Sequence, residues 1–110
     1  MALPKKNRLS NKKDIDRVFK NGRTVKGSFL FIKLSDNPRG YSRFAFIVPS
    51  KYVPIAADRN RIKRVFSEEV RNGQILSGKS RDVIVFACRK ITRSELDNLT
   101  KDLRGLLSKI

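Results

Sequence analysis

The segment Arg59-Asn60-Arg61-Ile62-Lys63-Arg64 sets five strong hydrogen-bond donors around one apolar residue. That spacing suits phosphate, which arginine grips with two parallel N–H groups and lysine meets as a point charge. At about 100° per residue, a helix through this segment gathers Ile62, Val65, Phe66 and Val70 on one face. Asn60, Arg64, Ser67 and Arg71 then share a stripe roughly opposite, with Arg59 and Lys63 at the boundary. Such a helix can bury its apolar side on a sheet and hold its cations toward an anionic groove. Taken alone, a charge run of this kind is most often a solvated surface, so the rest of the chain decides its meaning.

The chain carries 26 Lys+Arg against 10 Asp+Glu, a net charge of +16 on 110 residues. Solubility alone favours a more mixed surface, so an acidic polymer is the expected partner. An anionic membrane or an acidic protein are alternatives, but the cations are spread along the chain and not gathered on one amphipathic helix or tail. Nucleic acid is the first choice. The length fits one RNA-binding domain spanning residues 1–110, whose first eight residues read as a flexible basic start. No secretory apolar core and no run long enough to span a bilayer is present, so a reducing cytoplasm is the default.

Catalytic groups are scarce. There is no histidine, the commonest neutral-pH base and imidazole ligand, and Cys88 is the only cysteine. A zinc finger is thereby excluded. Cys88 closes the apolar run from Val83 and reads as a buried strand residue. Two-metal nuclease chemistry needs carboxylates converging on ions about 3.5–4 Å apart. Asp14 and Asp16 diverge on a helix, Glu68 and Glu69 are adjacent, and Asp82 opens a strand, so these read as solvated surface acids.

Ser10-Asn11 resembles the approach and N-cap of a helix bearing Ile15, Val18 and Phe19, stopped by Gly22. A short strand is expected at Arg23–Val25, and longer ones at Phe29–Leu34 and Tyr41–Val48, the latter two pairing antiparallel across the turn formers of residues 36–40. Pro49 and Pro54 bracket a loop before the basic helix, which runs to about Arg71 and ends at Asn72-Gly73. Asp82–Arg89 is apolar enough for a central strand buried on both faces. Thr92 and Glu95 have capping-box spacing ahead of a last helix that buries Leu96, Leu99, Leu103, Leu106, Leu107 and Ile110.

Along nearly its whole length the chain resembles the bacterial ribonuclease P protein subunit. The resemblance rests on Asn7-Arg8-Leu9, Asp14 to Lys20 with Val18-Phe19-Lys20, Gly22, Phe29, the Val48–Lys51 strand exit and the Arg59–Arg64 run. It implies an α+β, α-β-β-β-α-β-α sandwich with a four-stranded sheet and a left-handed βαβ crossover, against the usual right-handed rule. It also implies a partner, a catalytic RNA that removes the 5′ leader from precursor tRNA and itself holds the active site and the Mg²⁺; no tightly bound metal and no obligate protein partner are implied. Carried across by motif, Arg59, Asn60, Arg61, Lys63 and Arg64, with Lys51 and Arg71, are the candidates facing the catalytic RNA. Phe19, Ile15, Leu30 and Ile32 are the candidates for the leader cleft between the first helix and the sheet.

The chain departs from the family where aromatics commonly stand at Ile15 and near Ile32. Ser67 replaces a frequent arginine, leaving one RNA contact in question and Arg71 to compensate. Pro49 and Pro54 stand in a loop the family usually builds from serine, lysine and glycine. A structural RNA-binding protein such as a small ribosomal protein is the competing reading, followed by an autonomous metal nuclease and a DNA-binding helix-turn-helix.

Overall fold

In the computed structural model the described residues are 3–72 and 80–109, Asn72 through its backbone only. Their order is helix α1 (Lys12–Asn21), strands β1 (Arg23–Lys26), β2 (Leu30–Asp36) and β3 (Arg43–Ile47), helix α2 (Ala56–Asn72), strand β4 (Arg81–Ala87) and helix α3 (Leu96–Leu107). The expected four-stranded sheet is present, in the order β1-β2-β4-β3.

One pairing differs from expectation. β2 and β3 are not neighbours: β4 lies between them, antiparallel to β2 and parallel to β3. The composition of β4 explains its central place, because Val83, Ile84 and Val85 have no exposed surface and need cover on both faces. The parallel β3–β4 pair is joined through α2, as the crossover connection requires; its left hand is implied by the family.

Side-chain alternation divides the sheet into two faces. Leu30, Ile32, Leu34, Phe44, Val83 and Val85 face α2 and α3, joining Ile62, Phe66, Val70, Leu99, Leu103 and Leu106 in the main core. Phe31, Lys33, Ala45, Ile47, Ile84 and Phe86 take the alternate positions, toward α1. There a smaller cluster forms around Leu9, Val18 and Ile84.

Asn11 caps α1, its side-chain oxygen accepting from the Lys13 N–H at 2.8 Å. Gly22 ends the helix without a positive φ; it is required for space, since a Cβ would come within 2.3 Å of the Val18 carbonyl oxygen. The N-terminal segment from Leu3 packs onto the body of the protein. Leu3 and Leu9 are buried, the Asn7 amide donates to the Ser42 carbonyl at 2.8 Å, and Arg8 forms a parallel bridge to Phe44.

At the other end of the sheet Asp102 of α3 accepts from the backbone N–H groups of Ser28, Phe29 and Leu30 at 2.9, 2.9 and 3.2 Å. Cys88 is exposed, contrary to the reading of a buried strand residue. β4 ends at Ala87, so Cys88 already belongs to the turn that carries Arg89 and Lys90, where its thiol lies 3.3 Å from the Phe29 carbonyl oxygen. Gly73 and Ile110 lie outside the described residues.

Candidate nucleic-acid interface

Burial of Ile62, Phe66 and Val70 fixes the rotation of α2 and turns Asn60, Arg61, Lys63, Arg64 and Arg71 outward to exposed positions. Arg59 is used differently. Its guanidinium Nη1 donates to the carbonyls of Val53 and Pro54, both at 2.9 Å, tying the preceding loop to the helix. The same loop closes on the Pro49 carbonyl, which accepts from the Tyr52 and Val53 N–H groups at 3.1 Å. The two prolines thus supply acceptors to a compact turn, which carries exposed Lys51 with its ammonium 4.9 Å from the centre of the Tyr52 ring.

Ser67 does not belong to the exposed stripe. It is buried, its hydroxyl donates to the Lys63 carbonyl at 3.0 Å, and it lines a groove with Leu3, Arg8 and Lys63.

The cleft beside α1 also has a different floor from the one expected. Leu30 and Ile32 have no exposed surface and point into the main core, away from α1. Their strand neighbour Phe31 takes the α1 side, stacked on Phe86 with ring centroids 4.9 Å apart. Phe19 of α1 meets Phe86 edge to face at 6.3 Å. All of these rings are half-buried, as is Ile15 one turn earlier. Lys33 reaches across to the Phe19 carbonyl at 3.3 Å, placing a cation at the C-terminal end of the α1 dipole and beside the aromatic cluster. The cleft therefore offers flat apolar faces next to an ammonium.

Asp82 holds the cleft wall from below. Read from sequence as a solvated acid, it is fully buried, because the α1 face of β4 at this point is covered by arginines. Arg43 grips it through two hydrogen bonds of 2.8 and 2.7 Å, Arg17 of α1 donates at 2.7 Å and Asn37 at 2.8 Å. Asp14 completes the network, 3.2 Å from Arg43 and 3.5 Å from Arg17. Burial opposes the Asp82 charge, but the hydrogen bonds from Arg43 and Asn37 and the charges of Arg43 and Arg17 outweigh it, holding the carboxyl below the ordinary aspartate range. The Arg43 guanidinium is held more firmly protonated in return. An acid heading an apolar run was the available signal, and it needs a buried cation as partner. Among the described residues no group of three or more Asp, Glu or Cys side chains is arranged to hold a metal ion.

The profile of a family described as Ribonuclease P matches residues 3–110. Relatives include the ribonuclease P protein component of Syntrophomonas wolfei, 32% identical over 107 residues that span 97% of this chain and 89% of the relative. That of Dehalococcoides mccartyi is 34% identical over 102 residues, spanning 90% and 82%. Among solved structures, the RNase P protein from Thermotoga maritima superposes with a TM-score of 0.76 at 23% identity, covering 94% of this chain and 96% of its own. The RNase P protein from Staphylococcus aureus gives 0.74 at 26% identity, covering 99% and 92%.

Proposed function

The chain belongs to the bacterial ribonuclease P protein family, and from that premise we propose how its surfaces divide the work. It is the protein subunit of a ribonucleoprotein endoribonuclease that matures the 5′ ends of tRNA, in which the RNA carries catalysis; its partners are that RNA and precursor tRNA.

Asn60, Arg61, Lys63, Arg64 and Arg71, with Lys51 from the adjoining turn, bind the catalytic RNA through its phosphates. Arg59 positions that turn. The 5′ leader enters the cleft of α1 and is stacked by Phe19, Phe31 and Phe86, while Ile15 adds apolar contact and Lys33 meets the leader backbone. Each stacked base contributes about 1–3 kcal/mol, with little dependence on its identity. The observation that carries this assignment is the orientation of two surfaces: Asn60, Arg61, Lys63, Arg64 and Arg71 stand exposed on α2, and the rings of Phe19, Phe31 and Phe86 lie half-buried on the α1 side of the sheet.

Mg²⁺ resides on the RNA. The acids nearest the cleft, Asp14 and Asp82, are occupied by Arg17 and Arg43, so this chain has no donor set there suited to the ion. The protein's part is electrostatic: a charge of +16 offsets the repulsion between catalytic RNA and substrate and lowers the Mg²⁺ needed to assemble them. The work takes place in the cytoplasm; among the described residues no helix is long and apolar enough to cross a membrane.

A single-turnover Mg²⁺ titration with RNA alone, protein alone and both together tests this reading. The expected result is a lower Mg²⁺ requirement when both are present, and no cleavage by the protein by itself. An unchanged requirement would argue instead for a structural RNA-binding role.

A further inference from the structure

The turn from β1 to β2 is held from outside itself. Gly27 donates its N–H to the Leu30 carbonyl at 2.8 Å, which closes the turn once. The next three N–H groups all converge on the carboxylate of Asp102 in α3: Oδ1 accepts from Ser28 at 2.9 Å, and Oδ2 from Phe29 and Leu30 at 2.9 and 3.2 Å. Consecutive N–H groups arranged in this way form a seat for an anion, and the charge makes each bond stronger than its neutral counterpart. Leu99, Leu103 and Leu106 are buried and fix the rotation of α3, which keeps Asp102 over the turn. Gly27 makes the close approach possible, since a Cβ there would stand 2.6 Å from Oδ1.

What the carboxylate grips is the first residue of β2. Leu30 turns its side chain into the main core, so the following residue, Phe31, turns to the α1 side. Phe31 pairs with Lys26 across one ladder and with Phe86 across the other, which puts all three side chains in one row on that face. The turn therefore sets where the ring stands and where the ammonium of Lys26 stands beside it. We infer that Asp102 is a positioning residue for the 5′ leader: without touching RNA, and from the opposite face of the sheet, it fixes the placement of Phe31 and Lys26. The inference rests on the leader reading given above and adds to it a residue outside the cleft.

The test is a double-mutant cycle on the reconstituted holoenzyme, read as the ratio of its affinities for leader-bearing precursor and mature tRNA. Asp102→Asn keeps the shape of the side chain but turns one acceptor into an N–H₂ that faces the donors of the turn. It should lower the ratio roughly threefold to tenfold, less than loss of a stacked base, with mature tRNA affinity unchanged. Gly27→Ala displaces the same carboxylate from the other side and should reproduce the effect, which guards against a folding defect in the first variant. In a Phe31→Leu background neither change should lower the ratio further, because the ring they position is gone. A purely structural clamp would lower thermal stability in both backgrounds and leave the ratio alone, and that result overturns the inference. So do additive losses in the cycle, or equal losses for precursor and mature tRNA. If Phe31→Leu lowers the ratio while Asp102→Asn and Gly27→Ala do not, the positioning role fails and the cleft reading stands; if Phe31→Leu leaves it unchanged, both fail.

Discussion

Asp82 joins three parts of the fold through one carboxylate, linking α1, β3 and the turn after β2. Removing its charge strands Arg43 in a mostly buried position, with only Asp14 to compensate, so Asp82→Asn should cost about 3 kcal/mol at neutral pH, the lower end for breaking a buried pair. The pH dependence has a definite sign. Because the folded carboxyl titrates below the unfolded value of about 3.9, its stabilisation is complete above that value and disappears as pH falls through the lower, folded one. Denaturant melts should therefore show the variant's deficit shrinking below about pH 4, and a deficit independent of pH would remove the charge from the explanation. On α2, Lys63→Ala and Arg64→Ala should each shallow the slope of log affinity for the catalytic RNA against log salt by roughly 0.7–0.9 without changing stability. Arg59→Ala should differ from both, because losing the clamp on Val53 and Pro54 loosens the loop itself, which proteolysis of the free protein would detect.

At the level of elements, strand parity decides what each residue of β2 can do. Phe31→Leu or Phe86→Leu should lower affinity for leader-bearing precursor and leave mature tRNA binding nearly level. Ile32→Ala should instead cost about 2–5 kcal/mol of stability and leave leader discrimination in the folded protein intact. Loss of discrimination through Ile32 would mean the register in solution is not the one described. Most of the architecture is legible in patterns: the cap at Asn11, the Thr92–Glu95 capping box, which closes the 3-10 turn Arg93–Glu95 leading into α3, the leucine stripe of α3 and the apolar run of β4. Parity on β2 was harder because apolar residues occupy both faces, yet Leu30, Ile32 and Leu34 against Phe31, Lys33 and Ser35 separates an aliphatic core row from a mixed outer one. Family position points to Ile32, one residue away from Phe31, whose ring lies in the cleft. The β2–β3 pairing misled for another reason: a turn-rich connection looks like a hairpin, and only the need to cover β4 on both faces shows that a strand intervenes. Helical angle and family position both set Ser67 among the RNA-facing residues, and neither carries information about the groove it shares with Leu3 and Arg8.

For the whole molecule, the inventory of groups predicts that the protein without RNA cleaves no precursor, and that no single Asp or Glu to Ala change abolishes holoenzyme chemistry at saturating Mg²⁺. With no histidine and with Asp14 and Asp82 bound to arginines, the described residues present no acid, base or metal cage. Cleavage by RNA-free protein that vanishes with one carboxylate would overturn that view. β1 borders the sheet on the side away from β3. β1 is a four-residue border strand, and Arg23, Thr24 and Lys26 on it are exposed. Unprotected border strands invite two copies to join ladder to ladder, and short length and cations are the ordinary deterrents. Because that deterrent is electrostatic, it is only as strong as the surrounding salt allows: at about 1 M the screening length is near 3 Å. Concentrated salt, which weakens the protein's hold on RNA, should also relax the guard on β1, so the RNA-free chain should self-associate more readily as ionic strength rises.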